Sequence, residues 1–260
     1  MHNIFYKYRS FDFNDDNNFT EKIILNSSVY FAPPDSFNDP FDCNLSFKKD
    51  YSKEEIAKIF IDSTHITKST YTEDELAERI QYYIDNPQDF IKILEKYIDQ
   101  RVRSKIGILS LSKNHTSILM WSHYASSHTG LVFEFEASEN SPWINIPSNP
   151  PILPMPVEYC KDYKLLTYDP SNTDDIYRLL TTKHIDWRYE EEYRIVDLNY
   201  QGEKKFDKND LTGIIFGLYA KEDNIERMIN LCKNNGFGHV VFKKAKLIPG
   251  KFTLDFEEIR

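Results

Sequence analysis

The sequence contains little cysteine. Its three cysteines, Cys43, Cys160 and Cys232, are isolated, and none has the Cys-x-x-Cys spacing of a structural zinc site. Isolated thiols of this kind suit a reducing compartment. Long apolar runs are missing as well, because no stretch approaches the roughly 18 apolar residues that indicate a membrane span. The first residues lack the apolar segment of a secretory signal. We therefore expect a soluble, cytoplasmic protein with no membrane partner.

Several familiar motifs are also absent. The sequence has no Gly-x-Gly-x-x-Gly, no P-loop and no serine nucleophile elbow, so a Rossmann cofactor, nucleotide hydrolysis and standard serine hydrolysis have no support. The histidines His115, His123 and His128 lack the spacing of a metal-binding helix, and we expect no metal.

Acidic residues outnumber basic residues in the sequence. The net charge of −9 argues against a wide basic surface for duplex nucleic acid. Two short segments, 101–105 and 243–246, are rich in lysine and arginine and could line a local basic cleft. Solvated surface is the simpler interpretation of both, and we favour it.

Aromatic residues, in contrast, are abundant. The chain of 260 residues has 17 tyrosines and 18 phenylalanines. Because tyrosine joins an apolar ring to a polar hydroxyl, some of these residues are expected to line partly solvated clefts. Many of the other aromatic rings will lie in the core. The length fits one large α+β domain covering residues 1–260.

The pattern of apolar residues predicts a mixture of helices and strands. Strands are predicted near residues 4–9, 29–32, 107–112, 131–136, 187–196, 212–217, 239–245 and 252–256. Helices are predicted near 117–125, 174–182 and 223–235. Six prolines between residues 142 and 156 predict an extended loop that is neither a helix nor a central strand.

Between residue 52 and about residue 100 the helix signals are clearest. Ser52 with Glu55, and Thr72 with Glu75, have the spacing of capping boxes. Asn86 before a proline then predicts the start of a third helix. No linker flanks these helices, so we interpret them as a helical layer inserted at about 52–105 rather than as a separate domain.

The segment from Trp187 to Val196 alternates aromatic and charged residues. As a strand, it would direct one set of side chains to the face opposite the core, namely Arg188, Glu190, Glu192 and Arg194. Two carboxylates on one face can stabilise a cationic transition state and orient a nucleophile. The alternative is a solvated strand face, whose charge pairs contribute at most about 1 kcal/mol each.

The helix near 117–125 carries the second notable cluster. Trp121 and Tyr124 are three residues apart and share a helix face. A core-facing aromatic patch is the simpler interpretation. The alternative is that the two rings form the wall of a binding pocket.

The order of the polar motifs suggests a chemistry. The order of these motifs along the chain is similar to the order of elements in ADP-ribosyltransferases: Arg9 on the first strand, then Ser110-x-Ser112, then Glu190-x-Glu192. Cleavage of the nicotinamide–ribose bond of NAD develops an oxocarbenium ion, which a carboxylate stabilises much as in glycosidases. An arginine holds phosphate or ribose, hydroxyls hold the nicotinamide ribose, and aromatic rings cover the nicotinamide.

Four segments also resemble one bacterial family, the domain-of-unknown-function family 2971. They are Phe5-Tyr6-Lys7-Tyr8-Arg9, Phe37-Asn38-Asp39-Pro40-Phe41-Asp42, the Met120-Trp121-x-His-Tyr-Ala run with His128-x-Gly130, and Trp187-x-Tyr-Glu-x-Glu-Tyr-Arg194. The resemblance spans nearly the whole chain. The family is associated with phage-defence and toxin contexts, and it is distantly similar to the DarT-like ADP-ribosyltransferases that modify nucleic acid. Lys7 stands at about the position of the first-strand histidine of those enzymes.

The resemblance implies an α+β fold with a mixed split β-sheet of ADP-ribosyltransferase-like type. It implies NAD as substrate, Glu192 as the catalytic carboxylate and Glu190 as the residue that orients the acceptor. The residues expected to bind NAD are Lys7, Tyr8, Arg9, Asn38, Ser110, Ser112, Trp121 and Tyr124. Single-stranded nucleic acid is the expected acceptor, and an antitoxin or regulatory protein is a further expected partner. Two alternatives stay open, an NAD glycohydrolase and a non-catalytic sensor or binding module with the same fold.

Overall fold

The computed structural model describes residues 3–12, 19–44, 46–67, 71–137, 154–163 and 165–259. The chain forms two compact units. Unit 1 consists of Met1–Ala32, Gly107–Val157 and Ile185–Arg260, and unit 2 consists of Pro33–Ile106 and Glu158–His184. The helical segment predicted at about 52–105 belongs to unit 2. The fold class is α+β, as predicted.

The strands in chain order are β1 Asn3–Arg9, β2 Ser28–Phe31, β3 Gly107–Ser112, β4 Leu131–Ala137, β5 Met155–Pro156, β6 Glu158–Cys160, β7 Thr182–His184, β8 Glu192–Asp197, β9 Gly202–Lys205, β10 Leu211–Phe216, β11 Val241–Leu247 and β12 Leu254–Ile259. The helices are α1 Phe19–Asn26, α2 Lys53–Thr67, α3 Glu73–Asp85, α4 Pro87–Tyr97, α5 Ile118–Tyr124, α6 Asp174–Leu180 and α7 Glu222–Asn234. Among the described residues, no helix is long and apolar enough to cross a membrane.

Unit 1 is built on a mixed sheet with the strand order β12-β11-β10-β4-β1-β3-β8-β5. Its neighbours are antiparallel except for β10 and β11, which are parallel. One face of the sheet packs against α1 and α7, and its core includes Phe5, Leu109, Leu111 and Ile195. The other face packs against α5 through a smaller core that includes Tyr6, Tyr8 and Trp121. Alternation along β1 therefore assigns its odd and even residues to different cores.

The sheet is weakly joined between β1 and β3. These two strands are in register only at Tyr6 and Ser112, whereas β1 is paired with β4 along its whole length. Near the start of β3, Ile108 exchanges two backbone hydrogen bonds with Ala32, at 2.8 and 2.9 Å, instead of pairing with β1. The two strands thus separate on the N-terminal side of Ser112 in β3.

In unit 2 the helices begin where the sequence signals predicted. Thr72 and Glu75 form a reciprocal capping box at the start of α3. Ser52 accepts a hydrogen bond from the backbone N–H of Glu55 at 3.2 Å, and its own backbone N–H is bound by the Glu55 carboxylate. The Asn86 side chain makes no cap bond to α4; it donates instead to the carbonyl of Tyr82 at 2.8 Å.

Most predicted strands and helices are confirmed, with bounds that differ by a few residues. Neither α1 nor β9, the antiparallel partner of β2, was predicted, because their sequences lack a strong periodicity. Residues 142–153 of the predicted proline loop lie outside the described residues. The rest of that loop includes the two-residue strand β5, which lies at the sheet edge, where a proline is tolerated.

Candidate functional site

The acidic segment is not the continuous strand that its alternation predicted. Residues Ile185–Glu190 form a 3₁₀ helix, and β8 begins only at Glu192. Between them, Glu191 has a positive φ of 44°, so the backbone turns sharply before entering the sheet. The assignment of Arg188 and Glu190 to one strand face is therefore wrong. A 3₁₀ helix repeats every three residues, which breaks the period of two.

Glu190 is held at the end of this helix by two side chains from other elements. Its carboxylate Oε1 accepts a hydrogen bond from the Tyr124 hydroxyl at 2.6 Å. Its backbone carbonyl accepts another from the Ser112 hydroxyl, also at 2.6 Å. Glu190 is 3% exposed, so these bonds satisfy groups that water cannot reach. Tyr124 and Ser112 together fix the corner that leads into β8.

Glu192 and Arg194 form a buried, two-pronged ion pair. The Arg194 Nε donates to Glu192 Oε1 at 2.8 Å, and a terminal nitrogen of the guanidinium donates to Oε2 at 2.9 Å. Glu192 is 6% exposed and Arg194 is fully buried. A buried ion pair persists only when its charges are well matched and well bonded. The solvated strand face considered for this segment is therefore wrong at these two positions.

Lys7 lies at the point where β1 and β3 part. Its ammonium donates to the carbonyl of Ser110 at 2.8 Å, and so takes the place of a strand-to-strand hydrogen bond. Burial, and to a smaller extent the neighbouring charge of Arg9, lower the pKa of Lys7 to about 8, while the charge of Glu192 acts in the opposite direction. Lys7 is therefore a cation that readily loses its proton.

Two polar atoms beside this parting have no hydrogen-bond partner among the described residues. They are the Ser110 hydroxyl oxygen and the Arg9 Nε, and both atoms are buried. Burial also lowers the pKa of Arg9. Because buried polar groups are nearly always satisfied, each orphaned atom marks a position where a polar ligand would gain a hydrogen bond.

The predicted NAD-binding residues do not all share one face of the sheet. Lys7 and Arg9 alternate with Tyr6 and Tyr8 along β1. Their side chains therefore project from the same face of the sheet as Phe5. On β3 and β8 the same alternation directs Ser110, Ser112 and Glu192 to the opposite face, since their neighbours Leu109, Leu111 and Ile195 fill the first core. Groups from the two faces can meet only through the parting between β1 and β3.

Two of the predicted aromatic residues are core residues. Trp121 is fully buried, its indole N–H donates to the carbonyl of His115 at 2.8 Å, and its ring packs edge-on against Tyr8 at 5.4 Å. The Tyr8 hydroxyl donates to the carbonyl of Asn114, and burial raises its pKa. The core-facing interpretation is thus confirmed for Trp121. Tyr124 is half-buried and reaches Glu190, as described above.

Asn38 belongs to unit 2, where it lies in the turn that follows the 3₁₀ segment Pro34–Ser36. Asp39 in this turn accepts from the backbone N–H of Phe41 at 2.9 Å. Asp42 forms a buried ion pair with Lys183, at 3.3 Å, and its carboxylate contacts the Cys43 thiol at 3.4 Å. The observed contacts of this motif are therefore anchoring contacts within unit 2.

Two residues important to the site were not assigned a role from the sequence. The first is Arg194. Because it follows Glu192 by two residues on a strand, the sequence could have indicated that the two side chains share a face. Asn114 is the other. Its side chain donates to Glu191 Oε1 at 2.8 Å, its backbone carbonyl accepts from the Tyr8 hydroxyl, and its backbone N–H donates to the Ser112 hydroxyl oxygen at 2.9 Å. Nothing in its local sequence indicates this role.

No group of three or more metal-ligating side chains occurs in the part of the chain that the structure describes. The basic segment on β11 is neutralised by carboxylates rather than open. Lys243 pairs with Glu134 at 3.4 Å, and Lys246 pairs with Asp255 at 3.4 Å. The described face of β11 is therefore a mixed-charge surface, in agreement with the interpretation that we favoured.

Comparison with known proteins relates this site to a family. The model of the family described as "Protein of unknown function (DUF2971)" matches residues 120–195. The comparisons with curated proteins and with solved structures give no match. The matched segment supplies Trp121, Tyr124, Glu190, Glu192 and Arg194 to the arrangement described above. The resemblance of this chain to the DUF2971 family is thereby confirmed over residues 120–195.

Proposed function

We propose that unit 1 is an NAD-dependent ADP-ribosyltransferase whose substrate site lies at the parting of β1 and β3, in a split sheet of the ADP-ribosyltransferase-like type. The strongest support is the parting itself, because β1 and β3 are in register only at Tyr6 and Ser112. Arg9 lies on β1, Ser110 and Ser112 on β3, and Glu192 on β8, in the expected order, while Glu190 ends the 3₁₀ helix that precedes β8.

The groups at the parting suit a ligand that carries a diphosphate and ribose hydroxyls. The orphaned Ser110 hydroxyl can donate to or accept from a ribose hydroxyl. The Arg9 Nε can donate to a phosphate oxygen, and the Lys7 ammonium supplies a second positive charge below a pH of about 8. These contacts would bind and orient the substrate.

The two carboxylates then have different roles in the proposal. Glu192 stabilises the positive charge that develops on the ribose. Arg194 holds the Glu192 carboxylate in position through two hydrogen bonds. Glu190 orients the incoming acceptor, with its carboxylate fixed by the Tyr124 hydroxyl. A fixed carboxylate needs little rearrangement when charge develops beside it, which is the basis of electrostatic catalysis.

One observation favours a second candidate, a non-catalytic binding module. Both oxygens of Glu192 are bonded to Arg194, and this partner neutralises much of the charge that catalysis would require. In that case the orphaned groups at the parting still bind a ligand, but no turnover follows. An NAD glycohydrolase, with water as the acceptor, is the remaining alternative.

The test measures nicotinamide release and label transfer from NAD labelled in its adenylate part. Glu192→Gln should reduce nicotinamide release at least about a hundredfold, the usual scale for a positioned catalytic group. Glu226→Gln, at an exposed position of α7, is the matched control and should retain full activity. Thermal unfolding of each variant separates loss of chemistry from loss of fold.

A second variant tests the site without disturbing the fold. Ser110→Ala removes a hydroxyl that has no partner among the described residues, so stability should change little. Binding of NAD should weaken about tenfold, which corresponds to one lost hydrogen bond of about 1.4 kcal/mol.

The wild-type protein distinguishes the three candidate functions. Release of nicotinamide without transfer of label supports the glycohydrolase, and binding of NAD without release of nicotinamide supports the binding module. If the wild-type protein neither binds nor consumes NAD, the proposal is wrong.

For the acceptor we propose single-stranded nucleic acid, as expected of a toxin or phage-defence effector under the control of an antitoxin or another regulatory protein. Exposed rings such as Tyr219, which is 64% exposed, can stack on bases, and stacking tolerates a negative overall charge better than phosphate contacts do. The test supplies labelled NAD with separate pools of single-stranded RNA, single-stranded DNA, duplex DNA and protein. Label found only in protein, or equally in duplex DNA, would contradict this choice of acceptor.

A further inference from the structure

Three consecutive residues at the end of β3 hold the turn that leads into β8. The Ser112 hydroxyl donates to the backbone carbonyl of Glu190 at 2.6 Å. The backbone N–H of Lys113 donates to the backbone carbonyl of Glu191 at 3.0 Å. The Asn114 amide donates to the Glu191 carboxylate at 2.8 Å. The first two of these contacts fix the path of the main chain, whereas the third holds a side chain of the turn.

The turn has a left-handed residue at its centre. Glu191 has a φ of 44°, a conformation that is unfavourable for a residue with a Cβ atom. The torsion angles of Glu191 set how the carboxylates of Glu190 and Glu192 are directed relative to each other, because these two residues lie on either side of it. A contact that holds Glu191 in this conformation therefore acts on the relative direction of both carboxylates.

Asn114 is itself held in place before it reaches the turn. Its Oδ1 accepts from the backbone N–H of Thr116 at 2.8 Å and from the Thr116 hydroxyl at 2.9 Å. Because the amide oxygen is occupied in this way, the amide nitrogen must face Glu191. The backbone carbonyl of Asn114 accepts from the hydroxyl of Tyr8, a buried residue of β1, at 2.8 Å. Asn114 thus transmits a fixed position from β1 to the turn.

We propose that Asn114 is a positioning residue, which sets the relative direction of the Glu190 and Glu192 carboxylates by holding Glu191 in its left-handed conformation. This role rests on the proposed function. In that function, transfer requires both carboxylates, because Glu190 orients the acceptor, whereas release of nicotinamide requires Glu192 alone. Glu192 is also held by Arg194. Loss of the Asn114 contact should therefore impair transfer more than release.

The main test exchanges the donor and the acceptor of this contact. Asn114→Asp keeps an acceptor for Thr116 but places a second carboxylate against Glu191, so the contact becomes repulsive. Transfer of label from NAD to a mixed pool of single-stranded oligonucleotides and cell-extract protein should fall at least about tenfold, since small misplacements of an orienting group are costly. Release of nicotinamide should fall less than about threefold, and the KM for NAD should change less than about twofold.

Two further variants show whether the contact itself is responsible. Adding Glu191→Gln to Asn114→Asp supplies an amide donor for the new carboxylate and should restore transfer to within about threefold of the wild type. Asn209→Asp is the matched control, because the Asn209 amide also donates to a carboxylate, that of Asp207, at 3.0 Å in an exposed turn. This control should leave transfer and release unchanged.

A third pair of variants tests the left-handed turn without any NAD chemistry. Glu191→Ala and Glu191→Gly both remove the contact with Asn114, but only glycine adopts a positive φ without strain. The Tm of Glu191→Ala should therefore lie about 2–4 °C below that of Glu191→Gly.

Three results would overturn the positioning role: equal losses of transfer and release in Asn114→Asp, no recovery of transfer in the exchanged pair, or equal Tm values for Glu191→Ala and Glu191→Gly. A wild-type protein that neither binds nor consumes NAD would instead refute the proposed function, and the positioning role with it, even where the two Tm values differ as expected.

Discussion

Removal of one member of the Glu192–Arg194 pair should destabilise the protein strongly, because it leaves the other charge buried. Breaking a buried ion pair of this kind costs about 3–5 kcal/mol. A free-energy loss of 1 kcal/mol lowers Tm by about 2–4 °C in domains of this size. Arg194→Met and Glu192→Gln should therefore each lower Tm by roughly 6–20 °C.

The double variant separates the pair from its surroundings. Glu192→Gln combined with Arg194→Met removes both charges, so the cost should be clearly less than the sum of the two single costs, by about 2 kcal/mol or more. Thermal and urea unfolding at pH 7, followed by circular dichroism, gives the four unfolding free energies required for the cycle, those of the wild type, the two single variants and the double variant.

A matched pair on the surface provides the control. Lys246 contacts Asp255 and Glu257 at 3.4 and 3.3 Å, but all three side chains are about half exposed. Lys246→Met should therefore cost no more than about 1 kcal/mol. If Arg194→Met is no more harmful than Lys246→Met, or if the two changes at the buried pair are additive, then burial does not determine the strength of this contact and the reasoning fails.

Three further predictions concern single residues. Lys7 binds its proton less tightly in the folded than in the unfolded chain, so stability should rise between about pH 8 and pH 10.4, by up to about 3 kcal/mol. The Lys7→Met variant should lack this rise, which is measured as the difference between the two unfolding free energies across that pH range. Tyr124→Phe removes the hydroxyl that donates to the buried Glu190 carboxylate and should lower the unfolding free energy by about 1–3 kcal/mol, measured by urea unfolding. Gly217→Ala would bring a Cβ atom to within 2.1 Å of a backbone carbonyl oxygen and should lower Tm by several degrees or prevent folding. Gly238→Ala has open space around it and should leave Tm nearly unchanged, and a similar Tm for both glycine variants would show that the close approach at Gly217 is not limiting.

Local sequence rules were sufficient for much of unit 2. The capping box of Thr72 and Glu75 involves residues three apart, so the signal and its structural partner lie within one helical turn. Alternation likewise located β1, β3 and β4, because a strand that is half covered by a core repeats every two residues. The order of the polar motifs was also visible, as was the family resemblance that the match over residues 120–195 confirms.

The site depended on contacts that local patterns do not contain. Glu190 is bonded to Tyr124, which is 66 residues away, and this contact belongs to a 3₁₀ helix whose alternating sequence resembles a strand. Similarly, the Lys7 ammonium reaches the carbonyl of Ser110, 103 residues away, because β1 and β3 part at that point.

The sequence by itself determined which residue types occur in which order, where most helices and strands form, and which family the acidic segment resembles. Only the tertiary structure decided that Glu190, Glu192 and Arg194 are buried rather than solvated. The physical reason is that the environment of a charge is set by distant parts of the chain, whereas helix caps and strand alternation are set by near neighbours.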